Sequence, residues 1–232
     1  MPHVTGQVRF SDIGAVVFDA YGTLIDISEI TNQCRDALGD KAEALSRLWR
    51  EKQLQYTWLR SLMGAYVDFW HVTSEALEYA MAALGIANPP LRALLMQLYL
   101  SPKIYADVLP TLQQLRAKGL RTAILSNGSP TMLAAAVNSN VLRPSLDAVL
   151  SVDAVKTYKP HPSVYQLAVD RMAVPATRIL FVSANGWDAV GAGHFGFHVA
   201  WINRSGLPQE ALPHRSEAEI KSLAELPALL GL

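Results

Sequence analysis

The chain has 232 residues, 50% of them hydrophobic and 17% charged, which suits one large globular domain or a core with an inserted subdomain. Twenty basic and twenty acidic side chains cancel, so no overall electric field attracts nucleic acid or an anionic membrane. Cys34 is the single cysteine, which excludes an internal disulfide and a thiolate metal cluster. Residues 1–11 are polar and no apolar run is as long as a membrane span, so we expect a cytoplasmic protein with no membrane or nucleic-acid partner.

The first predicted element is a buried strand that ends on an acid. The residues from Gly14 to Phe18 are apolar, a pattern typical of a central strand in a parallel sheet. Asp19 follows at the carboxyl end of this strand, and the turn after it contains Gly22. Open α/β sheets place their reacting groups at this edge, which makes Asp19 a candidate nucleophile. The alternative is that Asp19 only caps a turn.

The next part of the chain has helical periodicity. Two apolar stripes recur at helical spacing, and a third apolar stretch runs from Leu91 to Leu100. No convincing strand interrupts this block, so we predict a helical cap over residues 27–105, inserted in a core of residues 1–26 and 106–232. The predicted stripes are Leu45, Trp49, Tyr56, Leu59 and Met63, and then Phe69, Val72, Ala76, Ala80 and Ala83.

Strands and helices alternate after the cap, which predicts an α/β fold with parallel βαβ units. Gly119 is placed to end the first of these helices, and Pro130 suits the first turn of the next one. The predicted strands cover residues 122–125, 148–150, 179–182 and, as the last strand, 199–202; helices are expected over 109–118 and 163–172, and a surface helix over 218–230.

Three predicted strands end in polar residues that are followed by a turn. These clusters are Asp19 to Thr23, Ser126 to Ser129 and Ser183 to Asp188, and parallel strands would bring all three to one edge of the sheet. Lys159 lies in a polar loop where the next helix opens. A single cluster is accounted for by an ordinary turn or helix cap. Three clusters at equivalent positions, together with a lysine, indicate an active site.

These segments resemble the ordered motifs of the haloacid dehalogenase superfamily, and more narrowly those of its L-2-haloacid dehalogenases. The motifs are DAYGTL at 19–24, SNGSP at 126–130, YKP at 158–160 and SANGWD at 183–188, and the cap segment 48–60 is also similar. The resemblance covers the chain from about Val16 to Arg204. It implies a Rossmann-like core with a helical cap inserted after the first strand, in agreement with the periodicity.

The alternative within this superfamily is a Mg²⁺-dependent phosphatase. Such enzymes carry a second aspartate two residues after the nucleophile, where it acts as general acid. This position is Tyr21, which cannot supply a comparable proton donor. Asp188 is the only obvious anionic metal ligand after the last core strand. The sequence therefore favours a dehalogenase that needs no metal and no cofactor.

The resemblance implies that Asp19 attacks C2 of a short 2-haloalkanoate and forms an ester. Arg50 from the cap, together with Asn127, would receive the departing halide, because a guanidinium is always charged. The alternative for Arg50 is a solvated charge on a helix face. Lys159 would keep Asp19 ionised as a nearby opposite charge, and the alternative is a surface lysine.

The resemblance also assigns the second step, in which water hydrolyses the ester. Asp188, with Asn185, would position or deprotonate this water, although Asp188 could also be an ordinary acid in the first turn of a helix. Thr23 and Ser183 would support these groups through hydrogen bonds.

Substrate contacts are implied as well. Ser126 and the backbone around Ala20 and Tyr21 would hold the substrate carboxylate. The remaining contacts are Tyr165 and an apolar pocket of Leu54, Phe69 and Trp187, for which plain core packing is the alternative.

The predicted activity is hydrolysis of short (S)-2-haloacids to (R)-2-hydroxyacids with inversion at C2, and the resemblance suggests a homodimer. Two other hypotheses stay open: a binding protein without turnover, and hydrolysis of another activated 2-substituted acid. Ala20, Ala184, Gly186 and Glu51 depart from the expected pattern and leave pocket size and substrate preference open. The six histidines have no metal-ligand spacing.

Overall fold

A six-stranded parallel sheet forms the centre of the protein. The computed structural model describes residues 10–27, 30 and 35–232, so Cys34 and most of the polar N-terminus lie outside the described residues. The strand order is β3-β2-β1-β4-β5-β6, and every neighbouring pair is parallel. This confirms the predicted α/β fold. The strands are β1 (Ala15–Phe18), β2 (Arg121–Ser126), β3 (Ala148–Ser151), β4 (Ile179–Ser183), β5 (His198–Ile202) and β6 (Ala218–Ile220).

The central strands are buried on both faces. All four side chains of β1 and all five of β4 are buried, which accounts for their continuous apolar sequences. Phe18 pairs with Ile124 of β2 on one side and with Val182 of β4 on the other. The carboxyl ends of these three strands are therefore level, and the polar residues that follow them meet at one edge.

Helices cover the sheet and form the segment between β1 and β2. Helices α1 to α4 all lie between those two strands in the chain, as the predicted cap insertion requires. The helices are α1 (Arg35–Leu38), α2 (Lys41–Met63), α3 (Phe69–Ala83), α4 (Pro89–Leu98), α5 (Val108–Ala117), α6 (Pro130–Ser139), α7 (Pro162–Met172), α8 (Gly186–Phe195) and α9 (Leu226–Leu229). None of the described helices is long and apolar enough to cross a membrane.

The two chain passages that join the helical segment to the core run side by side. The amide of Asp26 donates to the carbonyl of Lys103 at 2.9 Å, and the amide of Tyr105 donates to that of Leu24 at 3.0 Å. The first passage leaves the core a few residues after Asp19, and the second passage returns to the core beside the first. The helical segment therefore starts and ends beside the predicted nucleophile.

The buried face of α2 differs from the predicted apolar stripe. Leu45 and Trp49 are buried as expected, but Leu59 and Met63 are exposed. Gln53 and Thr57 are buried in their place, because Gln53 donates to Thr73 Oγ1 of α3 at 2.9 Å. Paired polar side chains thus occupy a face that hydrophobic spacing assigns to apolar residues. The residues of the second predicted stripe are buried as expected, except for Ala83 at its end, which is exposed.

The C-terminal segment also corrects the prediction of a surface helix over 218–230. Its first three residues form β6 beside β5, with Ala218 and Ile220 buried and Glu219 exposed between them. Strand β5 is therefore not the last strand. A 3₁₀ turn and the short helix α9 follow, and Leu223 and Leu226 are buried. Pairing with β5 decides the conformation of a segment that is too short to show strand periodicity.

Candidate active site

Asp19 lies directly after β1 and is held by three donors from three parts of the chain. Its carboxylate accepts hydrogen bonds from Thr23 Oγ1 at 3.1 Å, Lys159 Nζ at 3.1 Å and Asn185 Nδ2 at 2.9 Å. The residue is only 6% exposed. Together these three donors restrict the rotation of the carboxylate. The structure therefore presents Asp19 as a fixed carboxylate at the edge of the sheet.

Lys159 bridges two carboxylates in the interior. Its ammonium lies 3.1 Å from Asp19 Oδ1 and 2.8 Å from Asp188 Oδ2, and the residue is 1% exposed. Burial opposes its charge, but the attraction of Asp188 and Asp19 is stronger and raises the pKa of Lys159. Its amide donates to Asn127 Oδ1 at 3.1 Å, which anchors the loop before α7. The interpretation of Lys159 as a surface lysine is excluded.

Asp188, in the first turn of α8, is fully buried and accepts from three side chains. The donors are Lys159, the Tyr165 hydroxyl at 2.8 Å and Ser183 Oγ at 3.1 Å. Burial raises the pKa of Asp188 to about 6, although Lys159 opposes this rise. Two carboxylates share one lysine here, so the cluster carries a net negative charge when both are ionised. Tyr165 contacts this carboxylate from the side of α7.

The turns after β1 and β4 are tied together by hydroxyl and amide groups. Thr23 Oγ1 accepts from the amide of Ala184 at 2.8 Å, and Ser183 Oγ accepts from the amide of Asn185 at 3.2 Å. Asn185 Nδ2 also reaches the carbonyl of Tyr21 at 3.3 Å. Thr23 and Ser183 therefore fix the loops that carry Asp19 and Asn185.

Arg50 reaches the core from α2. One guanidinium nitrogen donates to Asn185 Oδ1 at 3.2 Å, across 135 residues of chain. The indole of the preceding Trp49 donates to the carbonyl of Thr73 at 2.9 Å, which fixes α2 against α3. The structure thus brings the cap arginine to the same asparagine that contacts Asp19.

Ser126 and Asn127 lie at the end of β2 on the same edge and are buried. The Ser126 hydroxyl accepts from the amide of Gly128 at 3.0 Å, which closes the turn. The turn after β1 is closed by Ala20, whose carbonyl accepts from the amides of Leu24 and Ile25 at 2.9 Å each. Both turns therefore have a defined backbone beside Asp19.

Aromatic side chains connect the helical segment with the core. The Tyr21 ring lies 6.0 Å from that of Phe69, and both residues are buried. Trp187 packs edge-on against Trp58 of α2 at 5.4 Å. Leu54 is half-buried one turn before Trp58. The residues predicted for an apolar pocket therefore come from both sides of the site.

Sequence reasoning missed a second contact between the helical segment and the core, centred on Tyr158. The Tyr158 amide donates to Ser61 Oγ at 3.1 Å, and its hydroxyl donates to the carbonyl of Val67 at 2.6 Å. Next to it, the Tyr66 hydroxyl donates to Asp153 at 2.9 Å. The one signal in the sequence was the position of Tyr158 directly before Lys159.

The described residues contain no group of three or more histidine, cysteine, aspartate or glutamate side chains arranged to hold a metal ion. Asp19 and Asp188 are both bound to Lys159 instead. Independence from metals and cofactors stays a prediction.

Comparison with known proteins agrees with this arrangement. A family model described as haloacid dehalogenase-like hydrolase matches residues 13–196. The (S)-2-haloacid dehalogenase 1 of Pseudomonas sp. (strain CBS-3) is 46% identical over 219 residues, which are 94% of this chain and 96% of that protein. The chain therefore belongs to the haloacid dehalogenase-like hydrolase family.

Solved structures give the same result. A crystal structure of a dehalogenase superimposes with a TM-score of 0.94 at 43% identity and covers 96% of this chain and 99% of that one. The L-2-haloacid dehalogenase of Xanthobacter autotrophicus with chloropropionic acid covalently bound has a TM-score of 0.86 at 39% identity, and the match covers 94% of this chain and 98% of that one. The predicted relationship to L-2-haloacid dehalogenases is thus confirmed.

Proposed function

We propose that this protein hydrolyses short (S)-2-haloacids to (R)-2-hydroxyacids through an ester on Asp19, with inversion at C2. One observation carries the proposal. Asp19 is a buried carboxylate whose charge is supported by Lys159, and a second buried carboxylate, Asp188, lies on the other side of the same lysine. The relatives named above are (S)-2-haloacid dehalogenases, and one relative was solved with chloropropionic acid covalently bound.

In the first step, one oxygen of Asp19 bonds to C2 of the substrate, and the carbon–halogen bond breaks with its electron pair on the halide. Arg50 and Asn127 stabilise the departing halide, since fixed donors act most strongly where charge develops. The in-line displacement inverts C2. The bonds from Thr23, Lys159 and Asn185 hold the nucleophile in one orientation for this attack.

In the second step, water attacks the ester carbonyl carbon of Asp19. Asp188 accepts a proton from this water, and Asn185 helps to position it. Breaking the acyl bond does not touch C2, so the inverted configuration is kept in the hydroxyacid. Ser183, Tyr165 and Lys159 hold Asp188 in place through the hydrogen bonds described above.

The substrate is held at its two ends. Ser126 and the backbone of Ala20 and Tyr21 bind the carboxylate, and the alkyl group lies in a pocket of Leu54, Phe69 and Trp187. This proposal is supported by the positions of the two closed turns and of the aromatic residues around Asp19.

The test is halide release from each enantiomer of 2-chloropropionate in metal-free buffer. We expect chloride from the (S) enantiomer only, (R)-lactate as product, and the same rate with EDTA or with added Mg²⁺. Strict dependence on Mg²⁺, with phosphate released from a generic phosphate ester, would instead identify a phosphatase. No reaction with any haloacid or phosphate ester would favour a binding protein.

We also propose the division into a core of residues 1–26 and 106–232 and a cap of residues 27–105. It is supported by the paired chain passages at Leu24 to Asp26 and Lys103 to Tyr105. Location in the cytoplasm likewise stays a proposal, and the single cysteine of the sequence supports it.

A homodimer is proposed as well, through the exposed apolar face of α2. Leu62 is 85% exposed and Met63 67% exposed, with Leu59 and Tyr79 exposed beside them. Such a patch suits a second copy of the chain. Light scattering should give twice the chain mass, and Leu62→Asp should give a monomer. Leu207→Asp, at another exposed leucine, should leave the dimer unchanged.

A further inference from the structure

The hydroxyl of Tyr21 is buried and has no hydrogen-bond partner among the described residues. Other buried tyrosines do have partners. Tyr99 donates to Gln53 Oε1 at 3.2 Å, Tyr158 donates to a carbonyl, and Tyr165 donates to Asp188. A buried donor without a partner lowers stability, and native proteins rarely keep one without a reason. Tyr21 is therefore the exception among these side chains.

The surroundings of this hydroxyl are known from the ring contacts. The Tyr21 ring packs between the rings of Phe69 and Tyr99, at 6.0 Å from each. Its Cε2 atom, next to the carbon that bears the hydroxyl, lies so close to Gly128 that a Cβ there would be 2.9 Å away. The hydroxyl end of the ring is therefore beside the turn that carries Asn127.

Arg50 and Asp19 also act on this hydroxyl. Burial has the largest effect and raises the pKa of the Tyr21 phenol; the charge of Asp19 raises it further, and the charge of Arg50 opposes this. The phenol consequently keeps its proton at neutral pH and is available as a hydrogen-bond donor. Asn185 contacts Arg50, Asp19 and the Tyr21 carbonyl through its side chain, and the hydroxyl end of the Tyr21 ring lies beside the Asn127 turn.

We infer that the Tyr21 hydroxyl donates a hydrogen bond to the departing halogen, as a third donor beside Arg50 and Asn127. This inference rests on the proposed dehalogenase function. When Asp19 bonds to C2 and the carbon–halogen bond breaks, the electron pair stays on the halide, which accepts this hydrogen bond. The phenol transfers no proton. A donor without a protein partner has no existing bond to break when the charge develops.

The experiment compares Tyr21→Phe with Tyr99→Phe. The two phenols are neighbours, but the hydroxyl of Tyr99 already has a partner in Gln53. The rate of ester formation on Asp19 is measured in a single turnover, with (S)-2-chloropropionate and (S)-2-bromopropionate as substrates. Mass spectrometry of the peptide that contains Asp19 gives this rate without the hydrolysis step.

For Tyr21→Phe we expect the rate of ester formation with the chloro substrate to fall about ten- to hundredfold. This is the range for the loss of a hydrogen bond to a charged group. The loss with the bromo substrate should be smaller, because bromide has a lower charge density and accepts weaker hydrogen bonds. Tyr99→Phe should change both rates by one common factor. A hydroxyl that contacts the substrate carboxylate instead would give equal losses with both halogens, and that result would overturn the inference.

Thermal unfolding is the second readout. Removing an unpaired buried hydroxyl should raise the melting temperature of Tyr21→Phe by about 2–4 °C, whereas Tyr99→Phe should lower it because Gln53 loses a partner. A lower melting temperature for Tyr21→Phe, or an unchanged rate, would also overturn the inference. If the wild-type protein releases no halide at all, the proposed function fails, and this outcome is distinct from a failure of the Tyr21 role alone.

Discussion

The core side and the cap side of the site differ in how completely their polar groups are paired. On the core side, Asp19, Lys159 and Asp188 form a buried chain in which each charged group has several partners. On the cap side, Arg50 is half-buried and donates to Asn185. Tyr21 belongs to the core, but its ring packs against Phe69 and Tyr99 of the cap, and its hydroxyl has no partner among the described residues.

This difference assigns different tasks to the two sides. The nucleophile and its supporting charges are fixed before any substrate arrives, which lowers the reorganisation needed for reaction. The donors next to the leaving group keep hydrogen-bonding capacity for the halide. Substitutions on the core side should therefore lower both stability and rate, whereas those on the cap side should lower the rate without lowering stability.

The largest effect is expected for Asp19→Asn, which removes the nucleophile. Halide release should fall by about 10⁴-fold or more, as it does when other enzymes lose theirs. Asp170→Asn, at an exposed acid of α7, should keep full activity. Turnover close to that of the wild-type protein in Asp19→Asn would show that Asp19 is not the nucleophile.

An isotope experiment on the wild-type protein sharpens this point. In a single turnover in H₂¹⁸O with enzyme in excess, water attacks the acyl carbon, so the label should enter Asp19 and the hydroxyacid should stay unlabelled. Heavy oxygen in the first hydroxyacid formed, with none in the Asp19 peptide, would contradict the ester route.

Lys159→Met tests whether the core side is also a stability element. Its removal leaves two buried carboxylates without their shared cation, and breaking a buried ion pair typically costs about 3–5 kcal/mol. Urea unfolding of Lys159→Met should show that the free energy of unfolding falls by this amount, and halide release should also be lost. Lys156→Met is the control, since its exposed pair with Asp153 should contribute less than about 1 kcal/mol. Equal free energies of unfolding for Lys159→Met and Lys156→Met would contradict the view that the core side contributes to stability.

Arg50→Lys tests the cap side. The variant keeps the charge but loses the planar donor geometry, and the loss of one such donor costs about 2.7–4 kcal/mol in the transition state, or roughly a hundred- to thousandfold in kcat. The free energy of unfolding should stay within about 0.5 kcal/mol of wild type. Arg60→Lys, on the same helix and paired with Glu75, should keep wild-type kcat. Unchanged kinetics in Arg50→Lys would show that the guanidinium geometry of Arg50 does not assist departure of the halide.

Much of the core could be predicted from the sequence because its strands are buried on both faces. Short, continuous apolar runs such as those of β1 and β4 are typical of central parallel strands, and the residues after them are then placed by parallel topology. Strand β6 could not be predicted, since three residues show no clear period and their pairing with β5 depends on tertiary structure.

The site was predictable where charged residues follow strands, and not where polar residues pair inside the cap. Gln53 and Thr73 are buried because they bond to each other, yet their residue types predict exposed positions. That the Tyr21 hydroxyl has no partner among the described residues could not be foreseen either, because hydrogen-bond pairing depends on the packed structure. Resemblance to a family indicates which residues belong to the site, whereas their hydrogen-bond partners are known only from the structure.

The smallest expected effect concerns pH and again separates the two sides. Asp188 must be ionised to accept a proton from water, and burial raises the pKa of Asp188 to about 6 in the free protein. The negative charge of Asp19 contributes to this rise, and esterification removes that charge. In the ester, the pKa of Asp188 should therefore lie below its value in the free protein.

The measurement follows the decay of the Asp19 ester by mass spectrometry as the pH is lowered. Hydrolysis should be independent of pH near neutrality and should fall about tenfold per pH unit below the pKa of Asp188 in the ester. The hydrogen bond from Tyr165 lowers the pKa of Asp188, so Tyr165→Phe should shift this fall to higher pH. Arg50→Lys should leave its position unchanged, because Arg50 acts in the first step. A shift in Arg50→Lys, with none in Tyr165→Phe, would mean that the two sides are not separate.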